Sequence, residues 1–181
     1  MNKIQVLLTT TVLLFGISVS SFADADEGLT AYNKGDYETA LTEWGTLAKQ
    51  GDAIAQHNMG FMYDNAYGVL KDYKESVKWY RKSAKQGNVD AQNALAYAYS
   101  NGNGVPVDYK ESVGWYRSGI KQDNANSQYQ LGWLYTVGYG VPFDLSKAKH
   151  WIKKSYENPN TTDEIKELAE KEWNKLELWK Y

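Results

Sequence analysis

The chain has 181 residues, 43% hydrophobic and 23% charged, a soluble globular composition long enough for one ordinary domain. Its formal charge of −2 argues against a nucleic-acid footprint, which needs a basic face. It has no cysteine, which excludes a disulfide framework and a lipidated N-terminal Cys and leaves stability to packing, in a chain with seven Trp and fifteen Tyr.

The N-terminus comes first. Lys3 is a positive lead. The run from Ile4 to Val19 is apolar apart from Gln5, Thr9 to Thr11, Gly16 and Ser18, and Ser21-Phe22-Ala23 places small residues at a cleavage site. This predicts a secretory signal peptide over residues 1–23, cut after Ala23, with a second cut site after Ala25. The run is shorter and more polar than the ~20 apolar residues of a membrane span. Removing it takes away Lys3 and no acid, so the mature charge moves from −2 to −3. The short leader looks bacterial, and the mature chain is expected free of the membrane, in the periplasm or outside the cell.

Residues 24–34 carry a short helical pattern with Leu29, Ala31 and Tyr32, which Gly35 breaks. Asp36 then opens a helix whose Ala40, Leu41, Trp44, Leu47 and Ala48 share one face at a 3.6-residue period. Asp36 is its N-cap and Gly51 its left-handed stop. From there the chain repeats itself every 36 residues. Gln56, Gln92 and Gln128 are in step, as are Tyr63, Tyr99 and Tyr135, then Gly68, Gly104 and Gly140, Asp72, Asp108 and Asp144, and Trp79, Trp115 and Trp151. A fixed period of this length marks a stacked repeat protein. The divisions follow: a truncated leading repeat over 24–51, full repeats over 52–87, 88–123 and 124–159, and a C-terminal segment over 160–181.

Each full repeat reads as two helices. Helix A, Ala53 to Asn65 in the first, carries Met59, Gly60 and Tyr63, which recur as Leu95, Ala96, Tyr99 and Leu131, Gly132, Tyr135. The small residue lets a neighbouring helix come close. A connector glycine supplies the turn, an Asp caps helix B, and the repeated Trp of helix B is expected in the core. Asp123 and Pro159 replace the glycine that ends helix B elsewhere, so those exits are expected to differ. In the last segment Thr161 and Glu164 have capping-box spacing. Ile165, Leu168, Ala169, Trp173, Leu176 and Trp179 form one apolar stripe, as expected of a helix that covers the end of a solenoid.

Ala55-Gln56, Met59-Gly60, Tyr63, Gly68-Val69, Asp72-Tyr73, Trp79-Tyr80 and Ala84-Lys85-Gln86-Gly87, with Gly104-Val105-Pro106 and Gly140-Val141-Pro142, resemble the Sel-one-like repeat (SLR) family, a relative of the tetratricopeptide repeat. The likeness runs from about Asp36 to Asn158, and the Ala31 to Tyr37 stretch looks more like a tetratricopeptide turn. The resemblance implies an all-α, right-handed α/α solenoid used as an adaptor for protein partners. Exported members of this size include host-interaction factors, envelope-assembly adaptors and immunity proteins against secreted antibacterial effectors. The β-lactam binding linked to some members relies on paired cysteines, which this chain lacks.

No catalytic constellation is legible. His57 and His150 are the only histidines, no Ser sits in a nucleophile elbow, and no two His have metal-ligand spacing. Gly102-Asn103-Gly104 lacks the Lys-Ser/Thr of a phosphate loop. No catalytic residue, metal or cofactor is therefore expected, and a cell-wall or antibiotic hydrolase is the least supported reading. The tetratricopeptide relationship implies that helix A lines a concave groove. The residues flanking its small packing position are then His57, Phe61 and Asp64, Asn93, Tyr97 and Ser100, and Tyr129, Trp133 and Thr136. The series Phe61, Tyr97, Trp133 keeps aromaticity while the residue type changes, a composition suited to binding. The expected function is an exported, non-enzymatic scaffold that holds a protein or peptide in this groove. A periplasmic immunity protein is the alternative. The partner and the oligomeric state stay open.

Overall fold

The computed structural model describes residues 27–180, apart from the Trp179 side chain. The expected signal peptide and its cleavage sites lie outside the described residues. After a helical stretch over 27–33 (α1) come α2 (Tyr37–Gln50), α3 (Ala53–Asn65), α4 (Tyr73–Lys85), α5 (Val89–Asn101), α6 (Tyr109–Ile120), α7 (Ala125–Val137), α8 (Leu145–Tyr156) and α9 (Asp163–Lys175), then a 3₁₀ turn over Leu178–Lys180. The described residues hold no strand. Each helix packs on the next in order, and α9 also touches α7, which makes an all-α solenoid of helix pairs.

Local chemistry sets the helix boundaries. Every B helix starts at an aspartate whose carboxylate accepts a backbone N–H of the first turn: Asp36 from Thr39, Asp72 from Lys74 and Glu75, Asp108 from Lys110 and Glu111, Asp144 from Lys147. The same three later aspartates donate their backbone N–H to the carbonyls of Tyr63, Tyr99 and Tyr135 at 2.9–3.1 Å, which ties each connector back to helix A. The A helices use Asp52, Asn88 and Asn124 as caps and end in left-handed residues: Ala66 (φ 60°), Gly102 and Gly138 (both φ 75°).

The small residue of helix A is a contact point. A Cβ added to Gly60 would lie 2.6 Å from the Tyr80 ring, and one on Gly132 would lie 2.7 Å from Ile152 Cγ1. Tyr80, Tyr116 and Ile152, all buried, are thus the plugs that helix B sets against helix A. This corrects the expectation for the repeated Trp. Trp79, Trp115 and Trp151 are only half-buried, one position before those plugs. Lys82 Nζ lies 4.0 Å from the Trp79 ring centroid and Lys154 Nζ 5.7 Å from that of Trp151. Trp115 packs against both the α4–α5 cluster and the C-terminal cluster and so bridges a seam between repeats, while Trp79 and Trp151 each pack against one cluster.

The last segment differs from its reading in two ways. Its N-cap is Thr162, which accepts from Ile165 N–H, rather than Thr161. The helix also stops at Lys175, because Glu177 turns left-handed (φ 51°), and the turn swings Leu178 fully into the core. The two non-glycine exits differ from each other as well. Asp123 takes the left-handed conformation itself (φ 54°), and Pro159 follows Asn158, whose N–H reaches Ser155 O at 3.4 Å.

Candidate functional site

Helices α5, α6, α7 and α9 leave a cleft of about 340 Å³ on the face carried by α5 and α7. Its walls are Tyr97, Tyr109, Tyr116, Tyr129, Trp133 and Leu134, with Leu168 of α9 closing the C-terminal end. Ser100, Asn101 and Gln130 supply the polar rim, and no charged side chain lines it. Tyr97 is its open ring, 54% exposed, while Tyr116 and Tyr129 show only an edge. The rim is internally braced. Ser100 Oγ meets Ser112 Oγ at 2.6 Å, and Asn101 Nδ2 donates to Tyr97 O at 2.9 Å. Burial, and next the neighbouring Tyr97, pushes the Tyr116 phenol above its ordinary range; burial and then Glu172 do the same for Tyr129. These hydroxyls stay protonated at neutral pH and offer hydrogen bonds without charge.

A second, small cleft adjoins the first through Tyr97, and Asp64, Ser76 and Tyr80 share its walls. Burial raises the Asp64 carboxyl above the usual carboxylate range, against a smaller opposing pull from Lys71. A larger gap of about 660 Å³ lies between α8 and α9, lined by Ile152 and Trp173 together with Lys149, Lys153, Glu157 and Glu170. Its charges are mixed and it lies at the end of the stack, so the aromatic cleft is the candidate site.

Of the nine residues that the sequence points to, Tyr97, Ser100, Tyr129 and Trp133 meet in the main cleft, and Asp64 stands in the adjoining one. The other four lie elsewhere. Phe61 is half-buried beneath Tyr32 and Tyr67, with ring centroids at 6.1 and 5.7 Å. The short α1 brings Tyr32 over it, a cover that later repeats do not have. Asn93 is buried and locked in a seam, donating to Asn124 Oδ1 at 3.0 Å and accepting from Ser127 Oγ at 2.5 Å. His57 leans on the Tyr80 ring at 5.7 Å, and Thr136 donates to Trp133 O at 2.7 Å. Tyr109, Tyr116, Leu134 and Leu168 are cleft residues that the sequence reading missed. Tyr73 and Tyr80 recur as Tyr109 and Tyr116, so a signal existed, but these sit on helix B, outside the face searched.

Three segments, 53–88, 89–124 and 125–160, match the Sel1 repeat. No curated protein matches the chain. Among solved structures it is similar to a Sel1 repeat protein from Oxalobacter formigenes, at 32% identity and a TM-score of 0.70 over 75% of this chain. It is also similar to a protective antigen of uropathogenic Escherichia coli strains that displays an SLR fold, at 35% identity and a TM-score of 0.73 over 77% of this chain. The match spans 56% of the first neighbour and 31% of the second. Proteins built from these repeats generally mediate protein–protein interaction and are typically non-enzymatic scaffolds. With the three matched repeats filling more than half of its length and the same helix pairs stacked in both neighbours, the chain belongs to the Sel1 repeat family.

Proposed function

We propose that this protein is an exported adaptor that docks an apolar segment of a protein partner in the Tyr97–Trp133 cleft. The observation that carries the reading is the cleft itself: five aromatic side chains around an uncharged hollow, with one ring open to solvent. Aromatic anchors of this kind concentrate binding energy at interfaces. The export half rests on the leader of residues 1–23 and fits a neighbour described as a protective antigen. Among the described residues no helix is long and apolar enough to cross a membrane.

The test is affinity capture from the cell envelope, with residues 24–181 as bait. Tyr97→Ala and Trp133→Ala are expected to weaken capture of the partner about tenfold or more, with Tyr97→Ala leaving the melting temperature unchanged. Trp115→Ala is the contrasting control. It bridges two core clusters, and its loss should cost about 3 kcal/mol of stability before binding is affected. Capture that survives the Tyr97 and Trp133 substitutions would move the site away from this cleft.

A further inference from the structure

The walls of the two adjoining clefts hold one charged side chain. Asp64 is the single carboxylate among the walls of the small cleft, which hold no Lys, Arg or His, and the main cleft has no carboxylate or basic side chain. The carboxylate is half-buried, and its one hydrogen-bond contact is the Tyr80 hydroxyl at 3.5 Å, the outer limit of such a bond. No ion pair reaches it among the described residues.

Packing does not require a carboxylate at this place. The same slot one and two repeats later holds Ser100 and Thr136, both neutral, and each is satisfied within the fold by Ser112 or by the Trp133 carbonyl. Lys71 pulls on this carboxylate from a distance but forms no ion pair with it, and a half-buried carboxylate without a paired cation is an unfavourable choice where a hydroxyl suffices. The charge is therefore provided for something outside the chain. It stands beside Tyr97, the open ring of the docking cleft.

Taking the cleft as the docking site, we propose that the partner segment carries a lysine or arginine that pairs with Asp64, next to the apolar side chain that enters the Tyr97–Trp133 cleft. Asp64 and Tyr97 line the same small cleft, Tyr97 and Trp133 the main one, and an extended chain advances ~3.3 Å per residue. An extended segment thus places its cation within a few residues of the first apolar anchor, with an anchor on Trp133 and Leu168 further along in the same direction.

The experiment selects displayed random twelve-residue peptides on immobilised residues 24–181, in parallel for the unmodified chain, Asp64→Asn and the double variant Tyr97→Ala/Trp133→Ala. The unmodified chain is expected to enrich a basic residue within a few positions of an aromatic or aliphatic one. Asp64→Asn should retain the apolar preference and lose the basic one. A synthetic peptide of the enriched sequence, blocked at both ends, should bind Asp64→Asn about tenfold more weakly, and its lysine-to-norleucine analogue should bind both chains alike. Apolar enrichment without a basic position, or a basic preference that persists in Asp64→Asn, overturns the pairing and leaves the cleft standing. No enrichment on the unmodified chain, or enrichment untouched by the double variant, removes the cleft as the docking site and the pairing with it.

Discussion

At the residue scale the connector glycines show how closely the repeats abut. A Cβ on Gly104 would lie 2.2 Å from Tyr73 O, and one on Gly140 2.3 Å from Tyr109 O, each against the start of the preceding B helix. Both also have positive φ, 73° and 69°. Gly104→Ala should lose at least about 1–3 kcal/mol in urea unfolding, from backbone strain alone. Gly114, an exposed helical position with open space around it, should respond in the opposite sense: Gly114→Ala is expected to gain about 0.5–1 kcal/mol. Asp64 supplies a pH signature. Burial raises its folded-state pKa, so the unfolded chain ionises first as pH climbs, and stability falls until the native carboxyl has also ionised. Below the ordinary carboxylate range both states are protonated and this loss is absent. Asp64→Asn is therefore expected to melt higher than the parent at pH 7, with the gap closing as pH falls to about 3, as calorimetry at both pH values would show.

At the scale of elements, a ladder of side-chain amides ties each helix pair to the one before. Gln86 Nε2 donates to Gly51 O at 2.9 Å and Gln56 Oε1 at 2.8 Å. Gln122 repeats this with Gly87 O and Gln92 Oε1, and Asn158 with Asp123 O and Gln128 Oε1. Gln56 and Gln92 in turn donate to Ala48 O and Ala84 O, which satisfies carbonyls at the ends of B helices. Gln128 turns to the Asp123 carboxylate at 2.7 Å, because the exit there is no longer glycine. The shorter Asn158 still reaches both acceptors. Gln92→Ala, at a buried position, should cost about 1 kcal/mol by removing the Gln92 bonds to the Ala84 carbonyl and the Gln122 amide, each of which keeps its other partner at Gly87. Gln50 is the exposed residue in step with Gln86, and Gln50→Ala should stay within about 0.5 kcal/mol of the parent in the same urea titration. A second compensation concerns the seam of Asn93. Gly119 replaces the serine found at positions 83 and 155, and Ser127 fills the space that its missing Cβ leaves, 2.0 Å from where that atom would be.

At the scale of the molecule, stability is shared between neighbours along the stack. Three core clusters follow one another, and Trp115 packs on both the second and the third. The C-terminal cluster draws Ile165, Ala169 and Leu178 of the last segment onto Ile152 and Leu134, and Leu168 of the same helix closes the cleft. Removing residues 160–181 is expected to lower the melting temperature and to increase amide hydrogen exchange most in α7 and α8, leaving α2 to α4 nearly as protected as before. Uniform loss of protection along the chain would show that the repeats fold as one unit.

The period of 36 residues, the capping aspartates and the turn glycines were all legible in the sequence, because each is a local requirement of one residue type: a carboxylate for orphan N–H groups, a missing Cβ for positive φ or a close backbone. Identity in step was enough to reveal them, and with them the solenoid. Which aromatic rings are open was decided only by tertiary structure. Phe61 and Tyr97 occupy the same place in the repeat, yet one lies beneath Tyr32 of α1 and the other has no such cover. Tyr116 reaches the cleft from helix B, across a crossing that helical phase on one element does not report. Leu178 enters the core through a left-handed turn at a glutamate, where nothing in the apolar spacing signals a stop. Exposure depends on what the neighbouring element places overhead, and that neighbour differs at each end of a stack even where the repeat itself is the same.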